Sequence, residues 1–372
     1  MIIRNKILCL VPLSPPITGA AAASETVIES LKGHHDVTVI GYQRGNLISG
    51  KFSFVQSLRI LMVGLTVMKL RLIKKLDHVY FVISSTRWGN LRDLFILTVL
   101  GRTRRKKCVV HLHGANYDTC LLSAPKWIRY LNKGLFSDVQ AAIVLGATFE
   151  GIFDGYVPRD RIKIVKNYYE PALLIPEENI KVKYGSSAKI KILFLSNLIR
   201  EKGYEILLSS FLSLRRNIRN KAELHFAGAI YSLHDKTELI KKMKNERNIY
   251  YHGTVAGEVK RNLLWEAHIF CLPTMYRYEG QPISILEAYA AGCCVITTNN
   301  GGIKDIFCDG KNGFAVGDNH EVRGTDLTEI LEKAILDIRS LKDIAYGNRA
   351  EARDRYQKNV FGRNIERIIL EQ

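Results

Sequence analysis

The chain has no C-x-x-C pair: its seven cysteines (Cys9, Cys108, Cys120, Cys271, Cys293, Cys294 and Cys308) are odd in number and lack metal-ligand spacing. That argues against structural zinc and against a disulfide framework, and leaves reduced, buried thiols of a cytosolic kind as the expectation. It also lacks a membrane-spanning run, because Lys69, Arg71, Lys74 and Lys75 interrupt the most apolar region before it reaches the roughly 18 residues a span needs. The apolar run after Lys6 stops at Pro12, which reads as a first strand and not as an exported leader. There is no D-x-D triplet to hold a divalent cation, no low-complexity tract and no internal repeat. Acidic residues are scarce, 36 against 54 Lys and Arg, for a net charge of +18. The excess is uneven: residues 1–170 carry 24 Lys/Arg and 11 Asp/Glu, or +13, leaving +5 for the remainder. Nucleic acid, an anionic membrane and a phosphorylated substrate all suit such a surface, although net charge alone also fits an ordinary basic cytosolic protein.

What is present describes a globular protein. The 372 residues are 47% hydrophobic and 24% charged, enough for two domains, each with its own core. Strand-like runs "KILCLV", "DVTVIGY", "HVYFVIS", "KCVVHLHG" and "QAAIVLG" alternate with helical patterns, the first helix running from about Ala21 to Leu31. The alternation pauses over 165–188, where Pro171, Pro176 and Gly185 mark a linker. It resumes with "KIKILFLSN", "ELHFAGA", "NIYYHGT", "HIFCLPT", "CCVITT" and "GFAV". Both halves therefore read as α/β, doubly wound, Rossmann-like parallel sheets facing a cleft. The expected divisions are an N-terminal domain over 1–170, a C-terminal domain over 171–350, and a last helix in 351–372 that packs back on the first domain.

The stretch 276–302, "YRYEGQPISILEAYAAGCCVITTNNGG", raises a chemical question: two glutamates, Glu279 and Glu287, sit in an otherwise small and apolar context. "HIFCLPT" is a buried strand, "MYRYEGQP" its carboxyl-end loop, and "ISILEAYAAG" a helix stopped by Gly292. Pro282 suits the helix start, where a missing N–H is harmless. The free amides around Gly280, Gln281, Ile283 and Ser284 then form an anion site fit for a phosphate. Glu287, about a turn inside the helix, carries the wrong sign for phosphate and suits ribose hydroxyls instead. Glu279, on the loop, would suit a polyhydroxylated sugar. An isolated E-x7-E is more often a solvated pair; its setting between a strand and a glycine-stopped helix favours the functional reading.

These residues resemble the signature of retaining glycosyltransferases of the GT-B class called family 4, E-G-x-P-x-x-x-x-E-A-x-A-x-G-x-P-V-I, with Cys294 in place of the usual proline. The resemblance covers most of the chain. "PPITGAAAAS" (15–24) is similar to the loop that closes on the transferred group, with Gly19 kept and Ala20 replacing the second glycine. "VVHLHGANYD" puts His111 and His113 on one strand face, and His113 corresponds to the family's cleft histidine. "FLSNLIREKGYEILL" resembles the segment G-R-L-x-x-x-K-G, with Lys202 and Gly203 matched and Asn197 where an arginine is usual. Arg200 is a candidate to replace that cation. Gly228, in "AGA", falls where the family packs the nucleotide base, and Asn167 in "VKNYYEP" is a hinge or cleft residue.

The resemblance implies transfer of a sugar from a nucleoside diphosphate, with retained anomeric configuration, to a glycan or lipid-linked acceptor in bacterial surface polysaccharide or lipopolysaccharide synthesis. Glu279, His113 and Lys202 would serve the reaction, with Lys202 and the 280–285 amides neutralising the leaving diphosphate. No cofactor or metal is expected; the donor, a UDP-sugar or GDP-mannose, is a substrate. The basic, apolar stretch 58–75 and "GRTRRKK" (101–107) suggest peripheral contact with the inner face of an anionic membrane. Alternatives are a nucleotide-sugar epimerase of the same fold, which needs no acceptor, and a phosphorylase, for whose pyridoxal phosphate no lysine is marked. A basic nucleic-acid-binding protein is disfavoured, because the cations accompany apolar helix positions and no nucleic-acid module is visible.

Overall fold

The computed structural model describes residues 4–14, 18–42, 54–73, 76–115, 117–185, 189–243, 246–317 and 321–371. Of the segments singled out above, 15–17, Lys74, Lys75, Asn116, 186–188 and Gln372 lie outside them. The chain divides into two units, Met1–Asn167 with Lys358–Gln372, and Tyr168–Gln357.

In the first unit, β1 (Lys6–Pro12), β2 (Asp36–Tyr42), β3 (His78–Ile83), β4 (Cys108–Leu112), β5 (Ala141–Val144) and β6 (Ile162–Ile164) form a parallel sheet in the order β2-β1-β3-β4-β5-β6. β3, β4 and β5 are buried along their whole length, as expected of strands covered on both faces, which is why they read as unbroken apolar runs. β6 escaped the sequence reading because Lys163 interrupts three residues at a sheet edge. The connecting helices are α1 (Gly19–Lys32), α2 (Phe54–Ile73), α3 (Arg87–Arg105), α4 (Tyr117–Leu122) and α5 (Lys126–Phe136). Right-handed crossovers in this strand order put α2, α3 and α5 on one face of the sheet and α1 on the other, and α2 indeed packs on α3, and α3 on α5. Thr18 caps α1 by accepting from the Ala21 amide at 3.2 Å.

The second unit repeats the architecture with β7 (Ile190–Leu195), β8 (Ala222–Ala227), β9 (Ile249–Tyr251), β10 (Ile269–Leu272), β11 (Cys294–Thr297) and β12 (Gly313–Ala315), ordered β12-β11-β10-β7-β8-β9 and all parallel. Its helices are α6 (Glu177–Gly185), α7 (Tyr204–Ser213), α8 (Arg216–Arg219), α9 (Leu233–Met243), α10 (Gly257–Glu266), α11 (Ile283–Ala290), α12 (Gly324–Leu336) and α13 (Ile338–Arg355). The final helix, α14 (Lys358–Leu370), belongs to the first unit, where it packs on α1, β3 and β4. Two histidines hold it there: His34 and His35 each reach Glu366 at 3.1 Å.

The strand order sets where ligands can bind. From β7 the chain winds outward through β8 and β9, and from β10 it winds the other way through β11 and β12. The switch point lies between β7 and β10, and open α/β sheets bind ligands in the crevice outside the carboxyl ends of such strands.

Candidate functional site

The loop after β7 carries Lys202, and the loop after β10 carries Glu279. The two meet across the switch point: Lys202 Nζ reaches both carboxylate oxygens of Glu279, at 2.7 and 2.5 Å. Thr274 Oγ1 donates to the same carboxylate at 2.9 Å, and Glu279 is only 5% exposed. A buried carboxylate is tolerable only with such charge-assisted partners.

Close backbone packing builds this constellation. Gly203 has φ +83°, and a Cβ there would lie 2.2 Å from the Pro273 carbonyl oxygen, so a side chain would push the two loops apart. The Met275 amide donates to Glu201 O at 2.7 Å, tying the same loops. Gly301 supports the other side: its φ is +52°, and a Cβ would meet Glu279 O at 2.1 Å. Asn300 Nδ2 donates to Tyr276 O at 2.8 Å, and Thr298 Oγ1 to Thr274 O at 2.7 Å. The "TTNNGG" segment is therefore a brace for the glutamate loop.

α11 starts at this crevice with Pro282 at its N-cap, so its first amides, from Ile283 and Ser284 onward, point where an anion would sit. Gly280, Gln281 and Pro282 are buried, and Ile283 and Ser284 half-buried. Glu287 is 3% exposed and forms a 2.6 Å ion pair with Lys260 of α10. Burial pushes the Glu287 carboxyl above its ordinary range, and the Lys260 ammonium opposes that shift. Gly228, at the end of β8, has φ +145°, and a Cβ would lie 1.8 Å from Ser196 O; only glycine lets β8 end so close to the loop after β7.

Two candidate residues are placed elsewhere. Arg200 is 59% exposed, bonded to Asp235 at 2.8 Å and facing Glu205 at 3.6 Å; its charge is engaged by those carboxylates and does not join Lys202 and Glu279. Asn197 is half-buried, its carbonyl accepting from the Ile199 amide at 2.9 Å. In the first unit, Gly19 opens α1 and is exposed. His113 follows β4, its ring tilted 34° to that of His111 with centroids 3.9 Å apart. His111 is fully buried, its Nδ1 2.7 Å from the Tyr80 hydroxyl, and burial beside His113 holds its pKa well below the ordinary value. Sequence reasoning did not single out Thr274, Lys260 or Tyr80. A threonine five residues before Glu279 at a strand's carboxyl end was a usable signal; nothing local marked the other two.

Residues 176–351 match the family described as glycosyl transferases group 1. The matched segment is just under half of the chain. It lies wholly within the second unit and contains Lys202, Lys260, Glu279 and Glu287. Among curated relatives, a GDP-mannose-dependent alpha-(1-6)-phosphatidylinositol monomannoside mannosyltransferase of Mycobacterium tuberculosis is 28% identical over 146 residues, 37% of each chain. A 2-deoxystreptamine N-acetyl-D-glucosaminyltransferase of Niallia circulans is 31% identical over 137 residues, 36% of this chain and 34% of the relative. These matches span little more than a third of the relatives' length. Solved structures extend the likeness to the whole fold: HepE of Anabaena, in complex with UDP and glucose, gives a TM-score of 0.69 at 17% identity over 98% of this chain and 99% of its own. WaaG, a glycosyltransferase involved in lipopolysaccharide biosynthesis, gives 0.72 at 16% identity over 99% and 100%. The matched segment thus lies in one of the two Rossmann-like units of a GT-B fold.

Proposed function

We propose that this protein transfers a sugar from a nucleoside diphosphate donor to a hydroxyl of a glycan or lipid-linked acceptor, with retention of anomeric configuration. The observation that carries the reading is the Lys202–Glu279 pair, anchored by Thr274 at the switch point of the second sheet, inside the group 1 segment. Departure of a nucleoside diphosphate creates negative charge, and Lys202 with the first α11 amides supplies fixed positive charge to meet it. Because the chain has no D-x-D triplet, that neutralisation is assigned to these groups without a resident metal or cofactor.

Glu279 keeps lone pairs beyond those used by Lys202 and Thr274, so it can accept sugar hydroxyls while they orient it. Glu287, held by Lys260, takes the ribose hydroxyls, and Gly228 leaves room for the nucleotide. The acceptor attacks on the face the phosphate leaves, and the leaving oxygen takes its proton, so no protein base is required. UDP-sugars are the first donors to try and GDP-mannose the second, which the mycobacterial relatives support by name. The setting is assembly of bacterial surface polysaccharide or lipopolysaccharide, on the cytoplasmic side of the membrane.

The test is ligand-detected binding of UDP-, GDP- and ADP-sugars to the wild type and to Glu287→Ala. One nucleotide class should bind, and the substitution should abolish it; binding of none, or equal binding by both proteins, removes the donor-site assignment.

A further inference from the structure

α2 carries apolar residues on both its inward and its outward side. Val63, Gly64, Val67 and Leu70 face inward, with Gly64 so close to Phe95 of α3 that a Cβ would lie 2.3 Å from its ring. Yet Leu58, Leu61, Met62, Leu65, Met68 and Leu72 are exposed, Leu72 by 77%. Their spacing of three and four puts them on one outward stripe. Two elements away in the same layer, α5 exposes Trp127, Tyr130 and Leu131, again at three- and four-residue spacing, with Tyr130 78% exposed. Single exposed apolar residues need no explanation, but two parallel stripes on one layer do.

The charge of that layer is one-sided. α2, α3 and α5 together carry 11 Lys and Arg and one acidic residue, Asp93. Asp93 is buried and paired with Arg92 at 2.6 Å. Lys69, Arg87, Lys126 and Lys133 are exposed among the apolar side chains. The opposite layer differs: α1 and α14 carry three acids among four cations.

We propose that the outer surface of the α2–α3–α5 layer docks on an anionic lipid bilayer, with the α2 stripe and the Trp127–Tyr130 pair at headgroup depth. An aliphatic stripe, interfacial Trp and Tyr, and flanking Lys and Arg are what an in-plane helix needs to bind such a surface. No described helix is long and apolar enough to cross a membrane, so the layer lies on the bilayer. A second copy of this chain fits poorly, since an isologous contact would oppose two cationic faces. Nucleic acid would leave the apolar stripes without a partner. The proposal does not depend on the donor-site reading and can stand or fall separately.

The experiment is co-sedimentation of the full chain with phosphatidylcholine vesicles, with and without about a third phosphatidylglycerol. Wild type should pellet with the anionic vesicles alone, less so at high salt. Leu61→Glu with Leu65→Glu, and separately Trp127→Ala with Tyr130→Ala, should each lower partitioning by about tenfold or more, and Lys126→Glu with Lys133→Glu similarly. Unchanged thermal unfolding of these surface variants would show that the fold is intact. Absence of binding at low salt, or undiminished binding by all three variants, overturns the proposal. So does self-association that the α2 variant abolishes, or steep salt-dependent retention of duplex DNA, when vesicles bind nothing.

Discussion

Lys260→Met isolates the contribution of one buried ion pair. Glu287 is 3% exposed, and Lys260 Nζ sits 2.6 Å from its carboxylate with a quarter of its own side chain in solvent. Removing one partner of a buried pair costs about 3–5 kcal/mol, and partial exposure of the lysine lowers the expectation to about 2–3 kcal/mol. In a unit of this size that corresponds to a fall of roughly 4–12 °C in the unfolding temperature. The pH dependence gives the sharper test. Glu287 has its folded pKa raised, chiefly by burial, so the folded state holds more protons and loses stability as pH rises from the unfolded to the folded value. Without Lys260 only the raising influences remain, burial and the nearby Glu170, so the folded pKa climbs further. The gap between variant and wild type should be smallest near pH 5 and widen toward pH 8, and Lys260→Met with Glu287→Gln should recover most of it. Thermal unfolding at both pH values measures this. A gap that is independent of pH, or smaller than about 0.5 kcal/mol, would refute the reasoning.

Other outcomes follow from the same geometry. Lys202→Met should lower turnover of the donor found in the binding panel by about 10²–10³-fold, the scale of losing one preorganised charge. Thr274→Val, which deletes one of the bonds that orient Glu279, should destabilise by about 1–2 kcal/mol in a urea titration and also slow turnover. Gly203→Ala forces a left-handed residue against Pro273 O and should cost more than the ~1–2 kcal/mol of conformational strain alone; stability within a few tenths of wild type would mean the loops are not so tightly packed. Tyr80→Phe removes the hydroxyl bonded to the buried His111 ring and should cost about 1–3 kcal/mol, read by the same titration.

Much of this protein was legible before its structure. The strands that cross the middle of each sheet are covered on both faces, so their sequences are short apolar runs, and each element named from such a run is found as a strand. β6 was not legible, because three edge residues around a lysine carry too little pattern. The helix after β10, its Pro282 start and its Gly292 stop were likewise local signals. The partner of Glu287 was not: Lys260 lies 27 residues earlier on a helix whose charges read as an ordinary solvated face. Arg200 is the converse case. The sequence offered it as a replacement for the cation missing at Asn197, and the 3₁₀ turn that carries it places it 2.8 Å from Asp235.

The sequence alone therefore determined the two parallel sheets, the carboxyl-end loops that carry Lys202, Glu279 and α11, and the strongly basic first half, because these depend on local periodicity, turn chemistry and composition. Only the tertiary structure decided which charges neutralise one another, Lys202 with Glu279 and Lys260 with Glu287, and that α2 turns an apolar face outward in the same layer as α5. Those outcomes depend on distances across the switch point and on which helix covers which, quantities set by strand order and long-range packing that no local pattern encodes.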